Sequence, residues 1–264
     1  MKKNLFIASR AILLLFSCAL IILSAKAQAK GVQGKNGKWG LMNASGKMIS
    51  PFIYDNFTND GEFNEGLAAV VIKKKSGYID TLGTIVIPLK YDECNSFEAG
   101  GTAIVWLGNS CGLIDKKGMI LIPVKYTVIE KTWSDSIVQV SLFNKVNNQA
   151  KFGLFTRSGK EVLPVKYEEI GEMINGAIKV KQYIKYYGFY ILETKHSIAS
   201  KYEDAKNFQE GLAAVAINKK WGFIDKTGKI VVPLEYERVS SFTDGKASVT
   251  KNGEVDTITK PVAQ

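Results

Sequence analysis

The sequence contains one histidine, His196, and three cysteines in 264 residues. A single imidazole rules out a histidine-pair metal site, and any Ser-His-Asp triad would have to be built on His196. That residue lies in "ETKHSIASK", which reads as a solvated turn. Cys18 falls in an apolar leader, leaving Cys94 and Cys111. Two thiols can pair, but they do not form a disulfide framework. After the first 30 residues no stretch keeps a 3.6-residue apolar period, which argues against helices. The one long apolar run, Ala11 to Ser24, has 14 residues. Spanning a bilayer takes roughly 20.

That run sits between Lys2, Lys3 and Arg10 on one side and Ala25, Ala27 and Ala29 on the other. A charged start, a short apolar core and an Ala-x-Ala exit are the parts of a secretory signal peptide. The expected division is therefore residues 1–29 as a helical signal peptide, cut after Ala27 or Ala29, and residues 30–264 as the mature domain, with no transmembrane segment. Lipid attachment at Cys18 is a weaker alternative, because the apolar run continues past it to Leu23. Cleavage after Ala29 removes four cations and no acid, taking the formal charge of +10 to +6. Export and a mildly basic balance point to the cell envelope (periplasm, cell surface or medium) and away from nucleic acid.

What the mature chain has in abundance is repetition. "KWGLMNASGKMISPFIYD" (residues 38–55) returns as "KWGFIDKTGKIVVPLEYE" (residues 220–237). Anchored on its glycine, the phrase occurs at Gly40, Gly77, Gly112, Gly153, Gly188 and Gly222. Fourteen residues on, all six copies have tyrosine: Tyr54, Tyr91, Tyr126, Tyr167, Tyr202 and Tyr236. The anchors are 37, 35, 41, 35 and 34 residues apart. Six units thus start near residues 39, 76, 111, 152, 187 and 221, and a half-unit follows from 252. Self-similarity at this period marks a solenoid, propeller or array.

The local chemistry reads as strands. "WGFID" and "KIVVP" are short, apolar and rich in β-branched or aromatic residues. Between them Asp225 opens and Gly228 closes a four-residue turn, the acid accepting turn amides and the glycine taking positive φ. Pro233 lacks an amide donor and should end its strand or lie at an edge. Phe-x-x-Gly then marks a turn before a further strand, "LAAVA". The mature chain is all-β: tandem hairpin repeats of about 35 residues, closing as a propeller-like ring or stacking as an open superhelix.

Together the Trp-Gly pair, the Asp-x-x-Gly turn, the Pro and the Tyr resemble the bacterial WG (or KWG) repeat family, from about Lys35 to Pro261. Only Trp39 and Trp221 keep the tryptophan. Ser76, Cys111, Phe152 and Tyr187 replace it elsewhere, and the fifth copy loses its Asp, Gly and Pro to Ile191, Thr194 and Ala199. The resemblance implies a β-repeat scaffold, often exported, and brings no catalytic residue, cofactor or ligand.

Acid pairs follow several repeat tyrosines: Asp92-Glu93, Glu168-Glu169 and Glu203-Asp204. Paired carboxylates serve glycoside hydrolysis, so an enzyme acting on envelope polysaccharide is the alternative reading. An acid that follows the tyrosine in five of the six copies, however, is better explained by the unit. Departures from the repeat are better places for a site. The third unit carries extra residues, "SLFNKVNNQAK" (141–151). Asn144, Lys145, Asn147, Asn148 and Gln149, with nearby Trp133, form the candidate binding loop. Its amides suit hydrogen bonds to a glycan or a peptide backbone. The expected function is a non-enzymatic scaffold making protein or glycan contacts.

Overall fold

The computed structural model describes residues 29–183 and 185–261. The signal-peptide helix expected over residues 1–29 lies outside them, apart from Ala29. The described residues form antiparallel sheets and a single 3-10 turn at Asn59–Gly61. No described helix is long and apolar enough to cross a membrane.

The chain divides into two compact units, residues 1–126 and 127–264. The first unit holds three sheets. The first comprises Lys30–Gln33, Trp39–Met42 and Met48–Tyr54. The second comprises Asn56–Phe57, Leu67–Ile72, Lys75–Asp80 and Ile85–Tyr91. The third comprises Glu93–Cys94, Thr102–Leu107, Ser110–Asp115 and Ile120–Tyr126.

The second unit holds four sheets. The fourth comprises Val128–Lys131, Ile137–Asn144, Gln149–Thr156 and Glu161–Tyr167. The fifth comprises Glu169–Ile174, Ala177–Gln182, Tyr186–Ile191 and His196–Tyr202. The sixth comprises Asp204–Ala205, Leu212–Ile217, Lys220–Asp225 and Ile230–Tyr236. The seventh comprises Arg238–Val239, Lys246–Lys251 and Glu254–Thr259. In each full sheet the strands pair in chain order, a meander. The third of them, here the glycine strand, carries the anchor glycine, and the last, the proline strand, normally carries the proline.

Each four-stranded sheet starts just after one repeat tyrosine and ends on the next, so the repeat read from Trp39 onward straddles two sheets. The turn between glycine and proline strands forms as its residues dictate. Asp225 Oδ1 accepts the Thr227 and Lys229 amides at 2.9 and 3.0 Å, and Gly228 has φ of 87°. Asp80 and Asp115 hold their turns in the same way. In the fifth copy Lys195 takes the positive φ in place of glycine.

The anchor glycine answers to a bulge. Trp221 faces Tyr236 and Phe223 faces Val232, so Gly222 alone lies opposite Pro233, Leu234 and Glu235. The proline strand arches over the glycine. A Cβ on Gly222 would stand 2.5 Å from the Val232 carbonyl oxygen, and one on Gly188 would crowd that of Ile198 in the same way. Proline belongs in this arch on the outermost strand, where its missing amide leaves no ladder bond unmade.

Each tyrosine ends its proline strand and points inward. Tyr54, Tyr91, Tyr126, Tyr167 and Tyr202 are buried, and Tyr236 is half-buried. The preceding lysine lies over the ring in four copies: Lys90, Lys125, Lys166 and Lys201, at 5.2 to 5.4 Å. Apolar clusters then bridge neighbouring sheets. Leu41 and Tyr54 pack with Phe57, Val70 and Ile79, while Tyr78 and Tyr91 pack with Phe97 and Val105. One sheet cannot bury its own apolar face, so its neighbour covers it.

The seventh sheet lacks a proline strand among the described residues, and its last strand carries a side chain where the other sheets carry the anchor glycine. Each anchor glycine pairs with a residue on the preceding strand, as Gly222 does with Val215; in the seventh sheet the residue opposite Val249 is Asp256. A side chain there occupies the space a proline strand needs, and a charge on an edge strand discourages pairing. Replacing Asp256 with Gly should open the edge. A labelled peptide of residues 229–237 should then bind the variant more tightly than the parent in fluorescence anisotropy, and equal binding would contradict the blocking role.

Candidate functional site

The extra residues at 141–151 build an extension of the sheet and not a separate loop. Ile137–Asn144 and Gln149–Thr156 have 8 residues each and stay paired to Asn144 opposite Gln149. The corresponding strands of the second, third, fifth and sixth sheets have 6 residues each. The hairpin therefore projects beyond its counterparts.

Its polar residues largely hold its own turn. Asn144 Oδ1 accepts the Val146 amide at 2.9 Å, Asn147 Oδ1 accepts the Gln149 amide at 3.2 Å, and Asn147 Nδ2 donates to Gln149 Oε1 at 3.3 Å. Asn148 takes a φ of 54°, a conformation asparagine tolerates. Apolar side chains face solvent among the polar ones: Val146 at 96% exposure, with Phe143 and Leu142 behind it, beside the exposed Asn144, Lys145, Asn147 and Asn148. Cross-strand pairing puts Phe143 on one face with Ala150, and Ser141 with Phe152. Val128 opposes Ser141 from the other side and extends this face.

The strip leads into a cleft of about 290 Å³ lined by Gln149, Ala150, Phe152, Glu168, Glu169 and Lys181. The projecting hairpin and the acid pair, two separate features in the sequence, thus share one place. Glu168 is paired with Lys151 at 2.5 Å, and Glu169 lies 3.9 Å from Lys181. Trp133 is packed elsewhere, against the apolar cluster of Leu154, Leu163 and Tyr167, and its Nε1 is buried without a hydrogen-bond partner.

The slot after the tyrosine has a recurring structural task. Asp55, Asp92, Glu203 and Glu237 accept the backbone amides of Lys73, Gly108, Lys219 and Gly253, latching the hairpin turn that follows 16 to 18 residues later. The Gly108 amide and then the Lys75 ammonium hold the Asp92 carboxyl below the usual carboxylate range. Thr127 does the same job through its hydroxyl, bonding the Phe143 amide at 3.0 Å. A second cleft, about 410 Å³, lies at the corresponding junction of the second and third sheets, lined by Asn56, Thr58, Ser76, Asp92, Glu93 and neighbours. A cleft thus recurs at two such junctions; Phe152 in place of Ser76 and the projecting hairpin set the 290 Å³ one apart.

The remaining chemistry is sparse. His196 is exposed at the start of its strand. Cys94 and Cys111 are buried, and burial pushes the Cys94 thiol up to about 12, well away from a reactive thiolate. Among the described residues no three His, Cys, Asp or Glu side chains are grouped as metal ligands.

The family model of the WG containing repeat matches residues 39–75, 77–109, 112–144, 152–186, 197–221 and 221–254. No curated protein matches the chain. Among solved structures, the chain is similar to BamB from Moraxella catarrhalis, with 10% identity, 88% of this chain and 81% of that one covered, and a TM-score of 0.30. It is also similar to the WD40 β-propeller domain of Doa1, with 10% identity, 87% and 88% covered, and a TM-score of 0.28. For apo AztD from Citrobacter koseri the figures are 12% identity, 89% and 78% covered, and a TM-score of 0.34.

Proposed function

The chain belongs to the WG-containing repeat family, and from that premise we propose that it is an exported, non-enzymatic binding module that holds a protein of the cell envelope. The contact surface in this reading is the projecting hairpin of the fourth sheet with the cleft beside it. One observation carries the proposal: among the described residues the repeat is extended to this length only at this hairpin, and the extension ends in exposed Phe143 and Val146. An exposed apolar tip stabilises nothing within the fold and gains free energy only when a partner covers it. A glycan is the second candidate occupant, but Asn144 Oδ1 and the Asn147 and Gln149 amides that would suit it are engaged in the turn. Glu168 and Glu169 fit a structural role, since each has a lysine partner and occupies or adjoins the latch slot.

Export rests on the charged start, apolar run and small-residue exit of the leader. Ala29 is buried in the core of the first sheet, with Leu41 and Tyr54. That favours cleavage after Ala27, which leaves Ala29 in place. The test is a cross-linked pull-down from the envelope of the source organism, with the chain from Gln28 as bait beside Phe143→Ser/Val146→Ser. The variant should lose the partner that the parent captures, with affinity falling roughly tenfold or more if the pair is a hot spot. Undiminished capture would remove the hairpin from the binding site, and capture of glycan in place of protein would change the class of partner.

A further inference from the structure

The repeat serves as its own control for surface chemistry. The turns joining glycine and proline strands have three solvent-facing positions each, flanking the turn glycine or, in the fifth sheet, Thr194. In the first unit these are Ser45, Lys47 and Met48; then Leu82, Thr84 and Ile85; then Lys117, Met119 and Ile120. In the second unit they are Ser158, Lys160 and Glu161; then Glu193, Lys195 and His196; then Thr227, Lys229 and Ile230. Five of nine are exposed apolar side chains in the first unit, against one of nine in the second. The fold does not require apolar tips, because the second unit builds the same turns without them.

These tips are neighbours. A Cβ on Gly83, in the second sheet's turn, would lie 3.4 Å from Ile49 in the first sheet, and one on Gly118, in the third sheet's turn, 3.4 Å from Ile87 in the second. Met48, Leu82, Ile85, Met119 and Ile120 therefore sit on successive turns along one rim, each turn against the sheet before it, with Leu82 at 75% and Met119 at 59% exposure.

We propose that this rim of the first unit seats the protein on a lipid bilayer bearing anionic headgroups. Its side chains are aliphatic or thioether, and they alternate with Lys47, Lys116 and Lys117. Lys116 also reaches Glu65 at 3.5 Å. The carboxylates in the turns, Asp80 and Asp115, are turned inward onto their own turn amides. The tip positions carry no Trp, Tyr or Arg, the residues that concentrate energy at protein interfaces. Methyl-rich tips among lysines match the acyl-to-headgroup boundary of a membrane, where apolar insertion and attraction to anionic lipid act together.

Co-sedimentation with phosphatidylglycerol–phosphatidylcholine vesicles, using the chain from Gln28, tests this. The parent should partition onto the mixed vesicles and much less onto phosphatidylcholine alone. Leu82→Ser/Met119→Ser should lower the partition constant roughly tenfold or more, given the apolar area lost, while Ile230→Ser should leave it unchanged. Circular dichroism and thermal melts of the variants should match the parent, because every altered residue is exposed. Failure of the parent to bind anionic vesicles, equal binding by Leu82→Ser/Met119→Ser, or equal loss with Ile230→Ser would each overturn the proposal. So would a dimer of the parent that the rim variant abolishes, since that would make a second copy the occupant.

Discussion

Gly222→Ala should destabilise the sixth sheet by about 3 kcal/mol or more, a large loss for one methyl group. The reason is what the methyl meets. Its Cβ would lie 2.5 Å from the Val232 carbonyl oxygen and 2.6 Å from that of Pro233, both backbone atoms of the arched strand. A flexible side chain could swing aside, but here the arch itself must lift. Lifting it disturbs the register that sets Trp221 opposite Tyr236. Gly211 is the control: it has φ of 85°, and an added Cβ would meet nothing within 4 Å. Gly211→Ala should cost only the left-handed backbone penalty, about 1–2 kcal/mol. Urea denaturation compares the two through their midpoints at unchanged slope. Equal losses would mean that glycine is needed for backbone freedom at both sites and that the arch is not tight.

This contrast bears on what is legible in the sequence. The Asp-x-x-Gly turns, the all-β character and the inward tyrosines depend on residues close in the chain, and they appear where the local chemistry places them. The reason for the anchor glycine is different: it depends on which residues of another strand lie across from it, and no short-range rule contains that register. The same holds for the phase of the repeat. Trp39 looks like a beginning, yet every sheet after the first opens after a tyrosine, because the short strand pairs with the hairpin downstream. The candidate loop is visible as an insertion. Its character is not, since Asn144 and Asn147 look like free amides until the turn they hold is seen. Sequence proximity groups Trp133 with the loop, whereas it packs with Leu154 and Leu163.

The second large effect concerns how sheets are held to one another. Phe208, from the Phe-x-x-Gly turn that opens the sixth sheet, is 1% exposed and meets Phe189 of the fifth sheet edge-on, with ring centroids 4.9 Å apart. Tyr78 with Phe97 and Phe223 with Phe242 repeat the contact at 4.7 Å. The motif that reads as a turn signal is therefore also a wedge between sheets. Phe208→Ala should cost about 3–5 kcal/mol, because the cavity opens among Ile198, Tyr202, Val215 and Ile224, which are fixed by their own strands. A double-mutant cycle with Phe189→Leu should give a coupling of about 0.5–1.5 kcal/mol for the ring pair. At the junction of the fourth and fifth sheets the corresponding residue is Met173, which is 39% exposed, so no buried phenyl ring from that position closes the interface. Met173→Ala should accordingly change stability by well under about 1 kcal/mol, as exposed positions usually do. A loss at Met173 as large as that at Phe208 would show that the wedge position matters for a reason other than the buried ring.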